Sequence, residues 1–320
     1  MIRISLLLCM TCLLTFVKAQ NKSLKEAEGL FDQSAFQETI DFIAGLEEKS
    51  SEHLVLQGRA YFELKDFDKA IETLESCVDL DSKSVECLYW LGASNIEALQ
   101  ADENFFKKGI YAFDALSSLQ EAIELKPDHL KARTRFVNYY INAPLIAGGS
   151  INKAKEQAKA VMNYDSNLGN QLIASIYLKN EEYDQAEAIY LRTINENRAT
   201  EKVYYLLSEI CRERNDYPKA FQYLDSSLKH YPDYKMAHYQ YAKLAVLTNQ
   251  NIEQGIKHIK TYLIDDQDES LPGKHWAFLR LGQLLQTKEE QKAARQAFES
   301  SLNENADFKQ AKEALKGLSD

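Results

Sequence analysis

Asp66-Phe67-Asp68-Lys69-Ala70, Glu182-Tyr183-Asp184-Gln185-Ala186 and Asp216-Tyr217-Pro218-Lys219-Ala220 share one pattern, an acid, an aromatic, two polar or turn residues and then Ala. The second and third copies begin 34 residues apart, at 182 and 216. The first and second begin 116 apart, at 66 and 182, which is three periods of 34 plus 14 inserted residues. A fixed period of this size marks stacked helix pairs. Each pair is too small to bury its own apolar face, so neighbours supply the core.

Residues flanking the pentapeptides repeat as well. Residues 51–84 carry Gly58, Tyr61, Ala70, Leu74 and Cys77; residues 167–200 carry Ile173, Ala174, Tyr177, Ala186 and Tyr190. Residues 201–234 carry Leu207, Ser208, Ala220, Leu224, Ser227 and Pro232, and 275–308 carry Leu281-Gly282, Ala294, Phe298, Ser301 and Ala306. In period and pattern the chain resembles the tetratricopeptide-repeat (TPR) family. The resemblance implies an all-α fold, a TPR-type α-solenoid: a right-handed superhelix of about eight antiparallel helix pairs with a C-terminal capping helix. In the pattern, small residues let helices approach and large ones fill the gaps, so Ala70, Ala186, Ala220 and Ala294 read as close-approach points.

The remaining copies depart from the pattern. The third opens with Leu88-Tyr89-Trp90-Leu91-Gly92 and closes with Ala115, Leu119, Ala122 and Pro127, with about eleven extra residues between them. The fourth has Phe136, Tyr140 and Ala154 and an enlarged turn, Asn142 to Ser150; its Gly148-Gly149 either supplies positive backbone angles for a long connection or shapes a loop that touches a partner. The seventh keeps Tyr241-Ala242 and has Gln254-Gly255 where Ala is usual. The first pair shows helical periodicity alone. The expected repeats are therefore 23–50, 51–84, 85–129, 130–166, 167–200, 201–234, 235–268 and 275–308, with a polar-faced cap over 308–318, in one solenoid spanning 20–320. No proline interrupts an expected helix: Pro127 and Pro232 end repeats, Pro218 sits in a first helical turn, and Pro144 and Pro272 lie in loops.

The chain has 320 residues, 45% hydrophobic and 27% charged, with only 12 Gly and 5 Pro, a folded and helical composition. Residues 1–19 carry a basic start at Arg3, an apolar run from Leu6 to Val17 and a Val17-Lys18-Ala19 end, the pattern of a secretory signal peptide cleaved before Gln20. The run is short for a membrane span, and neither Cys9 nor Cys12 follows the small residue of a lipoprotein signal. The reading is an exported protein, in the periplasm or cell envelope if bacterial and otherwise secreted, with no stable membrane span after cleavage. Losing Arg3 and Lys18 leaves 36 basic and 48 acidic residues and moves the charge from −10 to −12, which disfavours nucleic acid as a partner. Cys77, Cys87 and Cys211 read as small core residues. Cys77 and Cys87 fall on adjacent helices, so an oxidising compartment leaves a cross-link between them open.

No motif for catalysis stands out. His53, His129, His230, His238, His258 and His275 lack metal-ligand spacing and read as surface or packing residues. There is no Gly-x-Ser-x-Gly elbow, and Gly148-Gly149-Ser150 lacks a phosphate loop's Gly-Lys ending. Asp265, Asp266, Asp268 and Glu269 read as a solvated acidic turn without the rest of a calcium loop. No enzyme activity, metal or small-molecule cofactor is expected.

The resemblance implies that first helices line a concave groove, with exposed residues at the second, fifth, ninth and twelfth positions of each copy. Those positions include Glu52, Arg59, Phe62, Glu86, Tyr89, Lys131, Asn138, Ile141 and Gln171, then Lys202, Tyr205, Glu209, Arg212, Tyr239, Lys243 and Trp276. The candidate set for binding a protein or peptide is Arg59, Tyr89, Asn138, Lys202, Tyr205, Arg212, Tyr239, Lys243 and Trp276, because aromatic and Arg anchors make interface hot spots. Val55 and Arg59 stand where the Lys and Asn set of chaperone-tail grooves begins, so that recognition mode is not expected. The function that follows is a non-enzymatic interaction scaffold or adaptor. An assembly or quality-control factor for an envelope complex is the alternative. A hydrolase built from acidic residues would need two close carboxylates that no motif here fixes.

Overall fold

The computed structural model describes residues 20–264 and 271–318. The expected signal peptide and the acidic turn at 265–269 lie outside them. Every element of regular structure among the described residues is helical. Two compact units, Met1–Asn180 and Glu181–Asp320, divide between the two helices of the expected repeat 167–200.

The first unit holds α1 (20–32), α2 (Phe36–Ala44), α3 (Ser51–Glu63), α4 (Phe67–Leu80), α5 (Val85–Ala101), α6 (Phe105–Leu125), α7 (Leu130–Asn142), α8 (Ile151–Met162) and α9 (Ser166–Lys179). The second holds α10 (Tyr183–Asn195), α11 (Glu201–Glu213), α12 (Tyr217–His230), α13 (Lys235–Thr248), α14 (Ile252–Tyr262), α15 (Lys274–Thr287), α16 (Gln291–Glu304) and α17 (Lys309–Lys316).

One backbone device explains the pentapeptide. Ser34, Lys65, Glu181, Asn215 and Glu289 all adopt the left-handed conformation, with φ between 58° and 61°. Each lies five residues before a fully buried small side chain: Thr39, Ala70, Ala186, Ala220 and Ala294. The next residue's N–H reaches five residues back, as in Ala35 N to Leu30 O at 3.1 Å, Asp66 N to Tyr61 O at 3.0 Å and Asp216 N to Cys211 O at 2.8 Å. Those bonds satisfy carbonyls left open at the end of the first helix. The acid then caps the second helix: Asp66 and Asp216 each accept from the backbone N–H three residues on, at 3.3 Å. The pair 20–44, which carries no pentapeptide, makes the same turn with Thr39 in the place of Ala.

Small residues sit where helices touch. A Cβ on Gly282 would fall 2.4 Å from the Phe298 ring, so α15 and α16 meet there at a distance only Gly allows. The second unit's core gathers Phe221, Leu224, Tyr241, Ile259, Tyr262, Leu284 and Phe298. Its end is closed by α17, whose buried Ala311 and preceding Phe308 lie in that cluster; the Phe308 ring stands 4.6 Å from Trp276. The first unit's core is built from Leu119, Ala122, Phe136, Val137, Ala154, Ala158, Val161 and Ile176, among others.

Cys77 and Cys87, open at the level of sequence, form a disulfide across α4 and α5, with Cα atoms 5.7 Å apart. Cys211 is buried and unbridged, and burial pushes its thiol above the ordinary range. His53 and His129 are both buried and work as caps: Ser50 N donates to His53 Nδ1 at 3.2 Å, and Ala132 N to His129 Nδ1 at 3.1 Å. His238 and His258 pair through their Nδ1 atoms at 2.9 Å, with His238 Nε2 donating to Pro232 O at 2.7 Å.

Candidate functional site

First helices of successive pairs touch: α3 with α5, α5 with α7, and α13 with α15. Each unit therefore has its own face built from first helices.

In the first unit Arg59 lies in a cavity of about 500 Å³ with Phe31, Val55 and Leu56 beside it and Glu28, Asp32, Glu52, Asp81 and Glu86 around it. Its guanidinium is 4.5 Å from the Phe31 ring centre and 5.0 Å from that of Trp90, and its buried Nε has no hydrogen-bond partner. Such stacking holds the cation while leaving N–H groups to bond elsewhere. Glu86 is held below the usual carboxylate range, chiefly by its hydrogen bond from His129. Tyr89 is buried, not exposed as its position implied; its ring packs 5.0 Å from His129, and its hydroxyl accepts from Arg135 Nε at 3.4 Å. Asn138 is exposed and lines a second cavity of about 500 Å³ with Arg135, Glu97 and Asn142. Arg135 Nη1 donates to Glu97 Oε1 at 3.2 Å.

The second unit carries the more uniform site. A cavity of about 230 Å³ is walled by Ser208, Glu209 and Arg212 of α11, Gln240 and Lys243 of α13, and Arg280 of α15, over Leu224 and Leu244. Arg212 is braced by a fork to Glu209 at 3.2 and 2.9 Å and by Glu213 at 2.6 Å, and hydrogen bonding to Glu209 raises its pKa further. Arg280 gives Nη1 to Gln283 at 2.9 Å, while its buried Nε is unpartnered; its guanidinium lies 5.7 Å from the Trp276 ring. Three cations from three successive first helices thus face one space that contains one carboxylate. Guanidinium groups present fixed N–H forks suited to carboxylate oxygens.

Of the candidate binding residues here, Arg212 and Lys243 line that cavity, beside Glu209 from the wider set of expected groove positions, and the other candidates do not. Tyr239 is buried, its ring 5.2 Å from Tyr262. Trp276 is half-buried under Phe308, Lys202 is exposed outside the cavity, and Tyr205 is half-buried with a hydroxyl that burial pushes up to about 12. Arg280, Gln240 and, in the first unit, Arg135 were missed. All three occupy the sixth position of their repeats. The signal was present: a residue at position 6 lies four after position 2 and three before position 9, on the same helical face; Arg135 and Arg280 there are half-buried, whereas Gln240, and Tyr89, Tyr239 and Leu279 at position 5, are buried.

Among the described residues no three His, Cys, Asp or Glu side chains are grouped to hold a metal, and no helix is long and apolar enough to cross a membrane.

Residues 172–242 match the family model described as tetratricopeptide repeat, and residues 20–104 match that of anaphase-promoting complex, cyclosome, subunit 3. A tetratricopeptide repeat protein from Parabacteroides merdae superposes with a TM-score of 0.54 at 14% identity, over 84% of this chain and 98% of that one. Human IFIT1, solved as a dimer with PPP-AAAA, gives 0.55 at 11% identity, over 97% of this chain and 76% of that one. No curated protein matches the sequence. The fold is a TPR-type α-solenoid.

Proposed function

We propose that this solenoid is an exported, non-enzymatic binding scaffold whose second unit takes an acidic peptide segment of a partner protein. The observation that carries the reading is the convergence of Arg212, Lys243 and Arg280 on one cavity in a chain of net charge −10. An acidic surface repels an acidic ligand at long range, so a local basic cavity selects where such a ligand docks. The same net charge argues against nucleic acid, whose phosphates would meet that repulsion along the strand. Export is supported by the apolar run at 6–17 behind Arg3 and by the Cys77–Cys87 disulfide, a bond that persists in oxidising compartments.

The test is fluorescence anisotropy with a labelled Asp/Glu-rich peptide. Lys243→Glu with Arg280→Glu should weaken binding at least about tenfold and flatten its salt dependence. Equal binding by that variant refutes the site. Tyr239 is unsuitable as a probe because its truncation would cavitate the core. Cell fractionation with N-terminal sequencing tests export, and a chain retained in the cytoplasm with residues 1–19 intact refutes it.

A further inference from the structure

The two enlargements of the repeat pattern, far apart in sequence, meet at one place on the first unit. Second helices α4, α12 and α16 each have 14 residues, but α6 has 21, and its partner α5 has 17. The surplus on α6 leaves Phe106, Ile110 and Phe113 exposed at 83%, 61% and 73%, spaced i, i+4, i+7 on one face. The other enlargement, 142–150, sets Pro144 and Ala147 across a cleft from that helix and holds Leu145 out at 88% exposure. Between them runs a cleft of about 460 Å³, lined by Leu99, Ala112, Phe113, Leu116, Pro144 and Ala147.

The turn is fixed by its own bonds. Ser150 N donates to Tyr140 O at 2.9 Å, Gly149 N to Pro144 O at 3.0 Å, and Tyr139 Oη to Ala147 O. A Cβ on Gly149 would fall 1.8 Å from Ala143 O, so the backbone crosses itself at a distance open to Gly alone. Scattered exposed apolar side chains are ordinary; a stripe on one helical face whose last member, Phe113, lines a built cleft marks an interaction site.

We propose that this face docks one apolar side of an amphipathic helix from a partner protein, with a carboxylate beside that side meeting Lys108. The i, i+4, i+7 stripe is about 10 Å long at 1.5 Å per residue, the length of the anchor set that an amphipathic helix presents to a groove. Among the described residues Lys108 is the one charged residue lining the cleft, while Lys107 is balanced by Asp102 at 3.5 Å. A carboxylate on the partner complements Lys108. A second copy of this chain is the competing occupant, which self-association distinguishes. An anionic membrane would have to attract a chain of net charge −10. This surface is independent of the basic cavity in the second unit.

The test uses the full chain and a fluorescein-labelled helical peptide about 18 residues long, with Leu at i, i+4 and i+7 and Glu beside that stripe. Binding is expected in the micromolar range. Phe106→Ser with Phe113→Ser should weaken it at least about tenfold, with circular dichroism and sedimentation unchanged. Lys108→Glu should weaken it about fivefold, and a probe carrying Lys in place of Glu should recover that loss. Absence of binding, or equal binding by both variants, overturns the proposal. So does self-association, or attachment to phosphatidylglycerol vesicles, that the Phe106→Ser, Phe113→Ser variant abolishes while peptide binding persists.

Discussion

The Cys77–Cys87 disulfide links α4 to α5 across ten residues, and opening it tests how much of the first unit depends on that staple. Closing a loop of this length removes about 9 cal/mol/K of entropy from the unfolded chain, which is about 2.7 kcal/mol at 25 °C. Both sulfurs are fully buried, so a thiol reagent should reach them slowly in the native protein and quickly only once this region opens. Urea unfolding followed by circular dichroism, with and without reductant, should show the first unit's transition move to lower urea by the equivalent of about 2–3 kcal/mol. Cys77→Ala with Cys87→Ala should reproduce the shift and remove any further effect of reductant. The bond itself is checked by peptide mapping: trypsin cuts after Lys83, between the cysteines, so unreduced digests should contain peptides 70–83 and 84–107 joined. Separate peptides in unreduced protein from its native compartment, or a stability indifferent to reductant, would refute the reasoning.

At the helix contacts, Ala220→Leu adds bulk at a fully buried position facing the α11–α12 approach, and should cost about 1–3 kcal/mol in denaturant titration. Glu187 is pushed up by burial, yet hydrogen bonds from Lys219 at 2.9 Å and Arg214 at 2.5 Å outweigh that and hold it below the usual carboxylate range. Glu187→Gln should therefore destabilise the second unit at pH 7 by about 1 kcal/mol, and the difference from wild type should vanish in acid as wild-type Glu187 protonates. The His238–His258 pair works in the same protonation sense although its favoured form is neutral, not charged: burial lowers both, His258 to about 4, so here too the unfolded chain binds protons first as pH falls. Stability should decline between about pH 6.5 and 4, by about 1–2 kcal/mol after allowing for partial exposure, and His258→Gln should flatten that part of the curve. Identical curves for the two proteins would remove the pair from the account.

The period of 34, the acid–aromatic–x–x–Ala pentapeptide and the absence of helix-breaking prolines determined the all-α, repeat-built fold, because helix formation, turn geometry and close approach are local demands that recur wherever the same unit recurs. That Arg212 and Lys243 share one face and line one cavity was legible for the same reason, since a position within a repeat sets the face of a helix. Which residue on that face stays open was decided only by tertiary structure. Tyr89 and Tyr239 at position 5 turned into the core and Arg135 and Arg280 at position 6 came forward, because exposure depends on the neighbouring pair and its packing as well as on the helix's own period. The disulfide partner of Cys77 and the cleft where α6 meets the 142–150 turn are contacts between separate elements. Their chemistry was present in the residues, but the distance that makes them a bond and a surface exists only once the helices are stacked.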